Sequence, residues 1–390
     1  GKATHRNTAG AFMELAPRTK WKYIGYNGVL AAFLILGFYS VVSGWTLEYI
    51  FQAFTGSLEG KSASDFTNDF ATFSSGTWRP IIWTVLFVVI THVIIICGVE
   101  KGIERASKVM MPVLFLILIA LCVRSLTLPN ASVGLDFLLR PQLDKINSSV
   151  VLSAMGQAFF SLSIGMGCLI TYASYFKKDV SIQQTAVQVA VLDTLVAVLA
   201  GFMIFPAVFS FGIEPTSGAS LVFITLPNVF EQMPLGSLWS FVFFVLLALA
   251  ALTSVISLHE VVTAYVLEEH RMSRKKAAFF VSLGIILLGI LCSLSLGAAK
   301  GLSLFGMPLF DLLDYVTAKI MLPLSGMFIC IFVGTHVQKN VLKDSMTNEG
   351  TIRFYFFNTY AFFVKYIAPI AIGLIFVNEL GWIDYIRGLL

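Results

Sequence analysis

Long apolar runs separated by short polar segments recur along the whole chain. About nine of these runs are long enough to cross a bilayer, since a spanning helix needs about 20 mostly apolar residues. The runs lie near residues 25–53, 80–97, 109–127, 149–175, 183–211, 237–266, 276–296, 306–334 and 355–378. The strands of a membrane barrel would instead be segments of about ten residues with alternating hydrophobicity. The pattern therefore predicts an all-α polytopic membrane protein.

The run at 149–175 is interrupted at its centre by small and polar residues. Ser161, Ser163, Gly165 and Gly167 stand where a lipid-spanning helix should be most regular. Glycine weakens a helix by about 1 kcal/mol relative to alanine, and backbone freed from a helix at membrane depth must face protein or a water-filled cavity. Such a break is typical of the substrate and ion site of a transporter. Close helix–helix packing through small residues is the alternative interpretation.

Composition agrees with a membrane protein. Hydrophobic residues make up 57% of the chain and charged residues only 12%, whereas soluble domains carry roughly 25% charged residues. The net charge of +4 is small, and no Lys/Arg run indicates a nucleic-acid partner. The five cysteines (Cys97, Cys122, Cys168, Cys292 and Cys330) contain no C-x-x-C pair. We interpret them as apolar packing residues and not as a disulfide or metal framework.

The distribution of basic residues predicts the orientation in the membrane. Segments 1–22, 98–108, 176–182, 267–275 and 335–353 are rich in Lys and Arg, and the loops between them are less so. Basic loops stay on the cytoplasmic side. We therefore expect a multi-pass protein of the cell's cytoplasmic (inner) membrane, with a cytoplasmic segment at 1–24, an extracellular loop at 212–236 and an extracellular tail at 379–390.

Several polar side chains fall inside the apolar runs. A carboxylate such as Asp193 costs roughly 2.5–3.5 kcal/mol at the centre of a span and is a functional hypothesis by default; a protonated packing residue is the alternative. Thr253 and Ser254 either offer neutral oxygens to a hard monovalent cation or bond back to a carbonyl one turn earlier. Asp314 either meets a cation at an entrance or is a solvated helix-end charge. A buried Tyr39 hydroxyl needs a partner.

No catalytic constellation accompanies these groups. The chain contains no Ser-His-Asp cluster, no H-E-x-x-H motif and no P-loop. A ring of like charges or a repeated filter loop, which would favour a channel, is also not visible. The residues therefore predict neither an enzyme nor a channel.

Residues 157–175, QAFFSLSIGMGCLITYASY, closely resemble the sixth helix of neurotransmitter:sodium symporters. Five further motifs keep the order of that family: WTL at 45–47, KGIERASK at 101–108, LPNVF at 226–230, LTS at 252–254 and LLDY at 312–315. The resemblance implies a leucine-transporter-like bundle of inverted repeats, with residues 1–390 as one transporter domain. Residues 25–211 would hold family helices three to seven, and residues 237–378 helices eight to eleven.

The resemblance also implies that residues 1–26 match the end of the second family helix and the loop after it. The first two helices of the family would then lie outside this chain, together with the arginine partners of both gates. We therefore expect residues 1–390 alone not to transport.

A substrate site follows from the resemblance, residue by residue. Tyr39 would bond the carboxylate of an amino acid, Phe160 would cover it as an aromatic lid, and Ser163 with the backbone around it would receive the ammonium group. The side-chain pocket would be formed by Ile35, Met166, Val255 and Leu258.

The resemblance further implies two Na⁺ sites and two gates. The first Na⁺ site would use Ser161 and Asp193, and the second would use Ala250, Thr253 and Ser254. Gln157, Ser161 and Asp193 match chloride-site positions of the chloride-dependent members. Asp314 matches the outer gate, and Tyr175 and Glu268 match the inner gate.

Together these features predict a sodium-coupled symporter of amino acids, with hydrophobic ones expected from the apolar pocket. Transport would proceed by alternating access, as helices six and seven rock against helices three, four, eight and nine. Asp193 stands where chloride-dependent members have a neutral residue, so we expect independence from chloride, with proton counter-transport as an added option. The alternative is a non-transporting sensor of amino acid and sodium, or a structural membrane subunit.

Overall fold

The computed structural model describes residues 1–214, 217–299 and 301–382. Eight continuous helices in this part of the chain are long and apolar enough to cross a membrane. They are Lys22–Phe54, Trp78–Ile96, Val99–Leu126, Ile182–Ser210, Gly236–Glu269, Arg274–Ser295, Leu309–Thr335 and Phe357–Glu379. The ninth predicted span, 149–175, is formed by two shorter helices with a break between them. The predicted all-α polytopic architecture is therefore confirmed.

The helices of the first half are, in chain order, α1 (Thr8–Leu15), α2 (Lys22–Phe54), α3 (Ala63–Ser74), α4 (Trp78–Ile96), a π-helix (Val99–Glu104) continuing into α5 (Arg105–Leu126), α6 (Ala131–Leu139), a 3₁₀ turn (Leu143–Lys145), α7 (Ser148–Ser161), α8 (Cys168–Ser174) and α9 (Ile182–Ser210).

The elements of the second half are α10 (Gly218–Ser220), a π-helix (Leu221–Thr225), α11 (Leu226–Glu231), α12 (Gly236–Glu269), α13 (Arg274–Ser295), β1 (Ser303–Leu304), β2 (Met307–Pro308), α14 (Leu309–Tyr315), a π-helix (Val316–Met321), α15 (Leu322–Thr335), α16 (Lys339–Thr347), α17 (Phe357–Phe362), a π-helix (Phe363–Ile367) and α18 (Ala368–Glu379). The two strands pair as a small antiparallel hairpin before α14.

The segments expected to be loops contain more helix than the sequence pattern indicated. Residues 1–24 hold α1, which Asn7 caps by accepting hydrogen bonds from the N–H groups of Ala9 and Gly10. Residues 98–108, expected to be a loop, are mostly helical and continue into α5. The expected outer loop at 212–236 holds α10 and α11. Of the expected tail at 379–390, residues 383–390 lie outside the described part of the chain.

Helix α3 shows how polar residues set such a boundary. Ser62 caps it with a capping box, in which Asp65 bonds back to the Ser62 backbone N–H. The hydrogen bond from the Ser62 hydroxyl lowers the pKa of the exposed Asp65 carboxyl. This arrangement satisfies helix-end donors that the apolar periodicity does not reveal.

Helix α2 is the centre of the bundle and packs against α4, α12 and α13. Small residues allow the close approach. A Cβ atom added to Gly44 would lie 2.7 Å from the backbone nitrogen of Thr84 on α4, and one added to Gly37 would lie 2.5 Å from Leu288 on α13. Membrane helices gain dispersion contacts from such proximity because lipid provides no hydrophobic drive for their association.

A buried ion pair adds a polar tie between α2 and α4. The Glu48 side chain has no exposed surface. Arg79 donates two hydrogen bonds to its oxygens, at 3.0 and 2.5 Å, and the Trp83 indole N–H donates another. Gln52 contributes a fourth donor at 2.6 Å. A buried carboxylate is tolerated when its oxygens are satisfied in this way.

We expect Glu48→Ala to destabilise the fold by about 3–5 kcal/mol, because removal of one partner leaves the other groups buried and unpaired. Thermal unfolding of the purified protein in detergent measures the effect. Asp136→Ala is the control, since Asp136 and its partner Arg140 are mostly solvent-exposed. Equal melting temperatures for the two variants would contradict a structural role for the Glu48 cluster.

Candidate functional site

The break in the membrane-embedded segment lies at residues 162–167, between α7 and α8. Ser163, Gly165 and Gly167 all have positive φ angles, of 55°, 90° and 79°. A Cβ on Gly165 would lie 2.6 Å from the carbonyl oxygen of Leu322, so both the φ angle and the space require glycine there. The break is therefore encoded by the residues that the sequence analysis singled out.

Protein groups satisfy the backbone at this break. The Thr8 hydroxyl of α1 donates to the Gly167 carbonyl at 2.8 Å and lies 2.9 Å from the Thr171 hydroxyl. The N–H groups of Ser163 and Ile164 donate to carbonyls at the end of α7. Irregular backbone at membrane depth requires such internal partners.

A cavity of about 1110 Å³ opens beside the break. Six of the seven residues predicted to bind the substrate line it. They are Ile35, Tyr39, Phe160, Ser163, Met166 and Leu258. The seventh, Val255, is only 1% exposed and does not line the cavity, because α12 turns Leu258 toward it instead. The prediction that Val255 shapes the pocket surface is therefore wrong in this structure.

Polar oxygens occupy one wall of the cavity. The hydroxyls of Thr253 and Ser254 both lie on the lining and donate to the Ala250 carbonyl, at 2.8 and 3.3 Å. The Tyr39 side chain interacts with Ser254. This is the back-bonded geometry that was the alternative interpretation of these residues, and it also places three oxygens of the predicted second Na⁺ site together.

Asp193 reaches the site through a single partner. The Ser161 hydroxyl, on the cavity wall, donates to the Asp193 carboxylate at 2.6 Å. Asp193 itself lies on α9, outside the lining residues. Gln157, the other chloride-site position, is exposed and does not contribute to the lining. The predicted pairing of Ser161 with Asp193 is thus present, but Gln157 stays apart from it.

The inner-gate prediction chose the wrong glutamate. The Tyr175 hydroxyl donates to Glu260 at 2.6 Å and not to Glu268. Glu268 accepts hydrogen bonds from the Asn7 backbone and side chain, at 3.0 and 2.8 Å. Glu268 lies more than two turns beyond Glu260 on α12, so the position of α1 decides which acid faces Tyr175.

Arg274 completes the contact between α8 and the neighbouring helices. Its guanidinium donates to both oxygens of the fully buried Glu260, at 3.1 and 2.5 Å, and to the Ile95 carbonyl at 2.9 Å. A bidentate pair of this kind fixes direction as well as energy. Three side chains therefore join α8, α12 and α13 at the end of the bundle that carries the basic loops.

Sequence reasoning also missed Tyr172 and Ser257, which line the cavity. The Tyr172 hydroxyl donates to Ser257 at 2.9 Å, and Ser257 donates to the Thr253 carbonyl at 2.9 Å. A signal existed, because Ser257 follows Thr253 by four residues and so shares its helix face. Asp314, the predicted outer-gate acid, is exposed and lies outside the cavity lining.

Comparison with known proteins identifies similar chains along nearly the whole length. The model of the sodium:neurotransmitter symporter family matches residues 68–385. An uncharacterized sodium-dependent transporter of Bacillus subtilis is 38% identical over 385 residues, covering 99% of this chain and 85% of that protein. Another from Haemophilus influenzae is 39% identical over 366 residues, covering 92% and 79%.

A solved structure is similar in three dimensions. The crystal structure of MhsT in complex with L-phenylalanine superposes with a TM-score of 0.87 and 41% sequence identity. The similarity covers 97% of this chain and 86% of that one. A likeness of this extent includes the broken segment as well as the surrounding helices.

The Tyr175–Glu260 bond generates a direct test. We expect Tyr175→Phe to increase labelling of Cys168 by a water-soluble maleimide several-fold, because α8 is released from α12 and Cys168, now 5% exposed, becomes accessible. The exposed Cys97 is first replaced by serine to remove background.

Tyr23→Phe, at a mostly exposed tyrosine, is the matched control. Glu260→Gln should act in the same direction as Tyr175→Phe. Labelling that rises with Glu268→Gln but not with Glu260→Gln would restore the original assignment of the gate.

Proposed function

Because the chain belongs to the sodium:neurotransmitter symporter family, we propose that it is a sodium-coupled symporter of amino acids with apolar side chains. The family consists of secondary transporters and not of enzymes, and the leucine-transporter-like fold expected from the sequence agrees with the superposition. One observation carries the proposal: the helix break opens into a cavity that joins free backbone, hydroxyl oxygens and an apolar wall.

The polar part of the cavity suits the charged end of an amino acid. The carbonyl end of α7 carries a partial negative charge of about 0.5, which favours an ammonium group beside Ser163. The Tyr39 hydroxyl is a donor for the carboxylate. Both groups would be desolvated on binding, so each needs such a partner.

The apolar part suits a hydrophobic side chain. Ile35, Met166 and Leu258 are each 4–5% exposed and present no polar side-chain atom apart from the thioether. Phe160, 43% exposed, stands at the edge of the cavity where it can cover a bound molecule. The phenylalanine in the MhsT complex supports an apolar substrate for a cavity of related shape.

The oxygen groups suit Na⁺ as the coupled ion, and we propose two sites. Ala250, Thr253 and Ser254 supply a carbonyl and two hydroxyls within 3.3 Å of one another's bonded atoms. Ser161 and Asp193 supply a hydroxyl and a carboxylate joined at 2.6 Å. Both sets consist only of oxygen, which is the ligand type of hard cations.

The proposed cycle is alternating access in the cell's cytoplasmic membrane. Ions at the two oxygen sets offset the charge of Asp193 and bring α7 and α12 together around the substrate. The Tyr175–Glu260–Arg274 cluster holds the inner half of the broken helix against α12 and α13. Its release would let α8 swing and open the cavity to the opposite side.

Uptake measurements test the coupling to sodium. The protein in proteoliposomes should accumulate labelled leucine or phenylalanine when Na⁺ is outside, and not when K⁺ replaces it. Ser254→Ala should raise the half-saturating Na⁺ concentration about tenfold, which corresponds to about 1.4 kcal/mol of lost ion binding.

Ser210→Ala is the matched control, because Ser210 also donates to a carbonyl four residues earlier, but on α9 away from the cavity. Equal uptake in Na⁺ and K⁺ would contradict sodium coupling. Sodium-dependent binding without uptake would instead support the sensor interpretation.

A second measurement tests the role proposed for Asp193. Wild-type uptake should be the same in chloride and in gluconate, since the carboxylate supplies the negative charge that the ions require. Asp193→Asn removes that charge, so uptake should then depend on chloride.

Ser161→Ala separates charge from coordination, because it weakens the same oxygen pair and keeps the carboxylate. It should slow uptake equally in both anions. An Asp193→Asn variant with unchanged uptake in gluconate would exclude Asp193 as the source of chloride independence.

A further inference from the structure

Lys319 is a cation inside a membrane-spanning helix that the proposed substrate and ion sites do not use. It lies in the helix Leu309–Thr335, and its side chain is 41% exposed. Ionisable side chains in such positions pair with one another and mark functional elements. Its nitrogen is 3.7 Å from Glu379, at the end of α18, which is 30% exposed.

Lys319 lies between two carboxylates. Besides the ion pair with Glu379, it interacts electrostatically with Asp314, one and a half turns earlier in its own helix. Asp311 is the other charged group acting on Asp314. Near the proposed outer gate, three acidic side chains therefore share this one lysine among the charged groups that the structure describes.

The local helix geometry brings Lys319 toward Asp314. Residues Val316–Met321 form a π-helix. In an α-helix of 3.6 residues per turn, positions five apart point in directions about 140° apart, whereas the wider π turn closes i→i+5 bonds and reduces that angle. The same turn places the Lys319 nitrogen 5.6 Å from the Tyr315 ring centroid.

Glu379 in turn lies against the outer half of the broken helix. Helix α18 packs on α7. A Cβ on Gly156 of α7 would lie 3.1 Å from the Glu379 carboxylate oxygen, so the absence of a side chain at Gly156 makes room for this acid. One turn further along α7 stand Phe160 and Ser161, the proposed lid and a proposed Na⁺ ligand.

We propose that Lys319 is a positioning residue that ties Asp314, at the outer gate, to α7 through Glu379, so that gate and lid move as one unit. This inference rests on the proposed function as a transporter. Without the lysine, carboxylates on α14 and α18 face each other with no cation between them. Closure of the outer side would then be slowed, while the cavity that binds the substrate is unchanged.

Lys319→Met tests the proposal in proteoliposomes and in detergent. Its maximal uptake rate should fall about tenfold, equivalent to about 1.4 kcal/mol in the barrier, while the equilibrium affinity for phenylalanine at saturating Na⁺ stays unchanged. Lys319→Arg keeps the charge and should restore most of the rate. The double variant Lys319→Met with Glu379→Gln should be faster than Lys319→Met alone, because it removes the unpaired acid.

Lys365→Met is the matched control. Lys365 also lies in a π-helix of a spanning helix and over a tyrosine ring, at 5.3 Å, but has no ion pair among the described residues. A merely structural role would lower affinity, melting temperature and rate together, and would overturn the proposal. So would a failure of Lys319→Arg to restore the rate.

A double-mutant cycle of melting temperatures at positions 319 and 379 separates this inference from the proposed function, since it needs no transport. If the protein moves no amino acid but the two positions are coupled, the tie is supported and the symporter assignment fails. Additive effects at the two positions would overturn the tie, whatever the uptake.

Discussion

A backbone that crosses hydrocarbon must satisfy its own hydrogen bonds, and the rest of this structure follows from where that requirement is relaxed. Eight segments meet it as uninterrupted helices. The ninth gives up its helix over residues 162–167, and the hydroxyl of Thr8 with carbonyls at the end of α7 replaces the missing bonds. The surrounding helices can therefore hold open polar backbone next to an apolar cavity.

This relaxation is local because the scaffold around it is held tightly. Helices α2 and α4 touch through Gly44, and the buried Glu48 cluster fastens them. On the opposite side, α8 rests on α12 through a single tyrosine–glutamate bond beside a bidentate arginine. The contrast between many contacts in the scaffold and few at the broken segment assigns rigidity and movement to different parts of one chain.

The class of fold and the position of the break could be predicted from the sequence, because apolar run length and glycine placement act locally. The Ser161–Asp193 pair could also be predicted, from the resemblance to a family. The partner of Tyr175 could not be predicted. Glu260 and Glu268 stand on the same helix about 12 Å apart along its axis, and only the packing of α1, which satisfies Glu268, decides between them. Val255 shows the same limit, since a small rotation of α12 separates a buried residue from a lining one.

The back-bonded hydroxyls of Thr253 and Ser254 have a consequence for ion exchange. Each hydrogen points to the Ala250 carbonyl, so the free lone pairs of both oxygens are what these two residues can offer to the cavity. A wall that presents lone pairs and withholds protons attracts cations and gives anions little to bind. Because the donors are already paired before an ion arrives, arrival and departure require no donor to be left unsatisfied. The same local bond that fills a helix groove thereby acts as a polarity filter with a low barrier to release.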